Sequence, residues 1–208
     1  MSTEIRASGL DPNSPTDWLL AEKLDNDSLE ALNPEELNHE LMNPDQLRRW
    51  MTNGKKHELV VFTREIDGET EVLGFENMDK QSDGDYTRRS KAIRLAGNIP
   101  SNRPVWEFNF WSEPNFQVVN IIIALGRELN DFGARHPRSS VAMFVDAKDM
   151  VKETGANSVT ELDDLDRREQ LELNYPDTQI LTTLGFTGLR KRIPYETRTK
   201  DLVYLKHI

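Results

Sequence analysis

The chain has 208 residues, 37% hydrophobic and 30% charged, a length that suits one ordinary domain with part of a polar chain lying outside its core. A formal net charge of −10 argues against partners that need clustered positive charge, so neither nucleic acid nor an anionic membrane is expected. With no cysteine, disulfides, thiolate metal sites and cysteine nucleophiles are excluded.

The opening Met1-Ser-Thr-Glu-Ile-Arg6 has no basic stretch backed by an apolar one, and the longest apolar run, Ile121 to Leu125, is too short to span a bilayer. A cytoplasmic location is therefore expected. Residues 1–30 are rich in Asp, Asn, Ser and Pro, with only Trp18-Leu19-Leu20 as a small apolar anchor. They read as an acidic, polar N-terminal extension, because so little apolar surface cannot offset the entropy of ordering. Residues 31–208 read as one domain. Asn33-Pro34-Glu35-Glu36 opens a helix with a cap residue, a proline at its first position and acids in its first turn. Asn43-Pro44-Asp45 opens a second helix that stops at Asn53-Gly54. Two apolar runs, Glu58 to Thr63 and Glu71 to Phe75, flank Asp67-Gly68 and predict a hairpin.

Residues 76–104 are polar and predict a long excursion between strands. Val105 to Trp111 alternates, with Trp106, Phe108 and Phe110 on one face and Glu107 and Asn109 on the other, which predicts a half-buried strand. After Ser112-Glu-Pro-Asn-Phe116, apolar residues spaced by three and four from Val118 to Phe132 predict an amphipathic helix ended by Gly133. Ser140 to Val145 predicts the next strand, parallel and adjacent to the first because a helical crossover joins them. Residues 146–173 form a second insertion, in which Ser158 and Glu161 have capping-box spacing at the head of an acidic helix to Asp166. That helix could shape a substrate mouth, cover a homodimer contact or present a solvated face. Asn174 starts a short helix that stops at Leu184-Gly-Phe186, and a strand pair follows, ending in Leu202 to Lys206. Arg190, Lys191, Arg192, Arg198 and Lys200 make that pair basic, as a solvated rim, an anion site or a match for the acidic surface of a second copy. His39, His57, His136 and His207 lack ligand spacing, so no metal site is expected, and neither a Gly-x-Ser-x-Gly elbow nor a Walker loop is present.

The segment Asn174-Tyr-Pro-Asp-Thr-Gln-Ile-Leu-Thr-Thr-Leu-Gly-Phe186 resembles the closing segment of the GNAT superfamily of acyl-CoA-dependent N-acyltransferases, Asn-x-x-Ala-x-x-x-Tyr-x-x-x-Gly-Phe. Asn174, Leu184, Gly185 and Phe186 are in register, while Asp177 stands for the Ala and Leu181 for the Tyr. The family's phosphate signature, [Gln/Arg]-x-x-Gly-x-[Gly/Ala] after a Pro-x-aromatic lead, is similar to Pro114-Asn-Phe-Gln117-Val-Val-Asn120-Ile-Ile122. There Asn120 replaces the first Gly and Ile122 the small residue. The resemblance covers about residues 33–208 and implies an α/β (α+β) fold. Its central sheet would be mixed and mostly antiparallel, flanked by helices, with a central parallel strand pair splayed at its ends.

The resemblance also implies an acyl-CoA cofactor, acetyl-CoA or another. Its pyrophosphate would meet Gln117 and the backbone of Val118, Val119, Asn120, Ile121 and Ile122 at a helix N-terminus, with Asn174 from the closing segment. A small-molecule or peptide amine would be the acceptor. Glu107 on the central strand is the first candidate for general base and Glu113 the second, beside the plainer reading of Glu107 as a solvated or ion-paired strand residue. Leu181 cannot protonate a leaving thiolate, which leaves Tyr175, Tyr195, Tyr204 or water. Two classes of function stay open: an N-acyltransferase, favoured by Gln117 and the element order, and a catalytically silent GNAT-fold binding module, favoured by the residues at 120, 122 and 181.

Overall fold

A computed structural model describes residues 5–9, 14, 57–66, 68–80, 88–112, 118–194 and 200–208. The helices expected at Asn33 and Asn43, the Trp18 anchor and the Pro114 lead lie outside the described residues. The chain divides into two compact units, with divisions after Asp79, Asn109 and Ala124.

In the first unit β1 (Arg6–Gly9) pairs antiparallel with β2 (His57–Ile66), and β2 pairs antiparallel with β3 (Glu69–Lys80). The expected hairpin is present and longer at both ends. Gly68, at φ 87°, supplies the positive backbone angle its tight turn requires. A register shift between Phe62 and Thr63 breaks the strict alternation of β2, and Leu59 to Thr63 are consecutively buried. Within the presumed extension, Arg6–Gly9 forms a strand. Backbone pairing along the open edge of β2 orders it, a partner that side-chain patterning does not reveal.

The second unit opens with α1 (Arg88–Ala96), which places a helix inside the segment expected to be an irregular excursion. Next come β4 (Val105–Ser112), α2 (Val118–Arg135), β5 (Ser140–Val145) and α3 (Ala147–Thr154), with β4 and α2 each running across a division. A 3-10 turn (Val159–Asp163), α4 (Leu165–Glu172), α5 (Pro176–Thr183), β6 (Thr187–Gly188), β7 (Ile193–Pro194) and β8 (Lys200–His207) complete it. β4 and β5 are parallel, β8 is antiparallel to β5, and β6 and β7 both pair with β8. Among the described residues the sheet is thus mixed and mostly antiparallel, with a parallel pair and flanking helices.

Several local expectations give way to tertiary packing. Gly133 does not end α2, which continues to Arg135 and stops ahead of Pro137. A side chain at 133 would meet Ile208 Cβ at 3.4 Å, an ordinary contact, and the backbone runs through the glycine as helix. Ser158 makes no capping bond; Glu161 Oε1 accepts from the Asn157 N–H at 2.7 Å, and the segment is a 3-10 turn. The helix that follows is capped by Asp164, whose carboxylate accepts from the N–H groups of Asp166 and Arg167. Arg192, for which a solvated rim was one of three readings, is buried at its side chain and bonds Asp163 through two nitrogens at 3.0 and 2.9 Å.

Candidate active site

β4 was expected to be buried on one face, yet Val105, Trp106, Glu107 and Phe108 are all buried. Both faces are covered. Val105 joins Ala142, Val203 and Leu205 in a cluster with Ile93 and Ile99 from the α1 region and Ile193 of β7. On the other face Trp106 meets Phe132 of α2 edge-on, with centroids 5.0 Å apart, and Phe108 stacks on Phe186 at 5.8 Å. Glu107 alternates onto the Val105 face and is only 9% exposed. A carboxylate taken out of water is held at the strand centre, which excludes the solvated reading.

The parallel register joins Val105 to Ser140, Trp106 to Val141 and Glu107 to Ala142. β4 runs on to Ser112, whereas β5 turns its remaining residues to β8 alone. Glu107 is therefore the last paired residue before the two strands part. An opening between parallel strands leaves backbone N–H and C=O groups without ladder partners, and a ligand with amide groups can take them up.

The other expected residues are placed one by one. Glu113 and Gln117 lie outside the described residues. α2 begins at Val118, so the N–H groups of Val118, Val119 and Asn120 are in its first turn, where no acceptor exists inside the helix. Asn120 and Ile122 are half-buried, and Ile121 belongs to the same turn. Backbone donors of the kind a pyrophosphate needs are thus present, with a branched side chain at 122 on the same stretch.

Asn174 does not open the closing helix. Its Nδ2 donates to Gln170 O at 2.8 Å at the end of α4, and α5 starts at Pro176 with Tyr175 at the cap. The helix closes as the Leu-Gly-Phe pattern implies: Gly185 at φ 84°, Phe186 N–H to Leu181 O at 2.9 Å, and Gly185 N–H to Thr182 O at 3.0 Å. Lys206 Nζ donates to Leu184 O and stands 6.0 Å over the Phe186 ring, a cation at the negative end of α5. Burial holds that amine below the ordinary lysine range.

Leu181 is fully buried. Of the tyrosines considered as acids, Tyr195 lies outside the described residues, and Tyr175 and Tyr204 are buried. Both hydroxyls are held above the ordinary range by burial first, then by the carboxylates of Asp177, Glu153 and Asp149 for Tyr175 and of Glu172 for Tyr204. The Tyr204 hydroxyl makes no well-formed hydrogen bond. Sequence reasoning missed the group of Asp149, Glu153, Tyr175 and Asp177, in which burial and neighbouring carboxylates raise the Asp177 carboxyl against a hydrogen bond from Tyr175. The i, i+4 spacing of Asp149 and Glu153 is a visible signal for it. Among the described residues no cluster of His, Asp and Glu is placed to hold a metal, and no helix is long and apolar enough to cross a membrane.

These elements define the fold of the GNAT acetyltransferases. Neither a protein-family model nor a curated protein matches the chain. Solved structures do match along nearly its whole length. NAA60 of Arabidopsis thaliana, in complex with acetyl-CoA, is similar at TM-score 0.56 and 14% identity, over 98% of this chain and 98% of that one. YncA of Salmonella typhimurium, solved with its cofactor acetyl-CoA, is similar at TM-score 0.54 and 11% identity, over 99% and 94%. FeeM, an N-acyl amino acid synthase from uncultured soil microbes, is similar at TM-score 0.52 and 11% identity, over 99% and 93%.

Proposed function

We propose that this protein is an N-acyltransferase that moves an acetyl or other acyl group from acyl-CoA to an amine. The observation that carries the reading is Glu107: a buried carboxylate at the last paired position of β4, where the parallel strands part. The likeness to acetyltransferase structures holding acetyl-CoA supports the cofactor class. When bound, acyl-CoA supplies an activated acyl thioester. Glu107 takes the proton from the amine nitrogen as that nitrogen bonds to the acyl carbon and the carbon–sulfur bond breaks. The first turn of α2 offers N–H groups at Val118 to Asn120 for the pyrophosphate. Leu181 gives no proton, so the departing sulfur takes one from solvent or another group.

A silent binding module is the second reading, favoured by Ile122 and Leu181 together. Calorimetric titration with acetyl-CoA, followed by thiol release with polyamines, amino acids and peptide N-termini, separates the two. Saturable binding with thiol release is expected. Binding without release for any amine leaves the module, and no binding at millimolar acetyl-CoA removes the acyl-CoA reading.

A further inference from the structure

Residues 88–96, which form α1, hold three arginines, one lysine and no acid, in a chain whose net charge is −10. Residues 159–172, which form the 3-10 turn and α4, hold six acids and two arginines. Each segment also exposes apolar surface. Leu95 on α1 is 71% exposed, and Leu165 and Leu173 at the two ends of α4 are 45% and 72% exposed. Spacing aligns these residues. Lys91 and Leu95 form one i, i+4 ridge, and Leu165, Glu169 and Leu173 form another.

The local ion pairs leave both ridges charged. Glu161 pairs with Arg167, Glu172 with Arg168 and Asp163 with Arg192, while Asp164 caps α4. Asp166 and Glu169 make no ion pair among the described residues, and neither does Lys91. Arg94 donates to the carbonyls of Pro100 and Arg103, neutral acceptors that leave its charge uncompensated. A symmetric contact of α1 with α1, or of α4 with α4, would press like charges together. Only the unlike pairing matches charge as well as the leucines.

We propose that copies of this chain associate head to tail, α1 of one copy docking its Lys91–Leu95 ridge on the Leu165–Glu169–Leu173 ridge of the next. Val203 and Leu205 face the α1 side, while Tyr204 faces Arg168 and Glu172 of α4, so the two helices lie on opposite faces of β8. The contact is heterologous, and it grows beyond two copies unless the rotation closes a ring. It stands apart from the acyl-CoA reading.

The test is the mass of the full chain by sedimentation equilibrium, over a concentration series at low and high salt. The mass should rise with concentration and fall back with salt, since exposed charges are screened. Lys91→Glu and Glu169→Lys should each weaken association by about tenfold or more, and an equimolar mixture of the two should recover it. Leu173→Asp should do as the charge reversals do. Circular dichroism of these exposed-site variants should match the wild type. A wild type that stays a single copy throughout, reversals without effect, or a mixture that fails to recover overturns the proposal.

Discussion

Glu107 lies in the core, and in the proposed reaction its side chain is the group that accepts a proton. Glu107→Gln keeps the shape but removes the base, exchanging one acceptor oxygen for an NH2 donor. Turnover should fall about a hundredfold or more with acyl-CoA affinity almost unchanged, read from steady-state kinetics beside calorimetry. Unaltered turnover would transfer the role to Glu113 or water. Leu181 is fully buried, so a tyrosine there has to displace packed neighbours. Leu181→Tyr should lower stability by about 1–3 kcal/mol in denaturant titration and should not raise turnover. For Asp177 the sign follows from its raised carboxyl. Between the ordinary aspartate value of 3.8 and the raised one, the folded state binds more protons than the unfolded state. Stability from this group is therefore full at acid pH and is lost as pH rises through the folded value. Asp177→Asn removes that loss, so its melting temperature should exceed the wild type's near neutral pH and the gap should close below about pH 4. A gap of constant size would assign the effect to something other than ionisation.

At the scale of elements, caps and turns decide where helices stop. Gly185→Ala puts a side chain on a residue at φ 84° where the nearest atom, Lys206 Nζ, is 3.7 Å away, so strain rather than collision sets the effect. A loss of about 1–2 kcal/mol in thermal unfolding is expected. Asp164→Ala should lose about 1 kcal/mol by removing two bonds to the first turn of α4. The sequence is most legible where one element supplies its own grammar. The hairpin around Gly68, the span of β5 and the Leu184-Gly185-Phe186 stop can all be read locally. Asn174 and Ser158 have the right chemistry for a helix start and a cap but are taken by other uses: closure of α4 and a 3-10 turn. The second covered face of β4 comes from α1, a helix in a stretch whose polarity hides it. Of the candidate site, the position of Glu107 on β4 is legible by alternation. Its burial is not, because that depends on residues far along the chain.

For the whole molecule, binding of acetyl-CoA to the native state should raise unfolding stability, by about 2.7 kcal/mol at a hundred times the dissociation constant. A thermal-shift series in cofactor concentration reads this directly, and a flat series would count against the cofactor. β8 has a consequence for how the chain comes to be folded. Every residue from Asp201 to Leu205 is buried, and β5, β6 and β7 all draw their hydrogen-bond partners from this one strand. On the ribosome β5 emerges well before β8, so its apolar edge, Val141 to Val145, has to wait for its partner while synthesis continues. A waiting strand edge of that kind is a template for mispairing between nascent chains. Translation speed between Val145 and Lys200 thus becomes a determinant of yield, and slowing the ribosome there should enrich aggregates without altering any native contact.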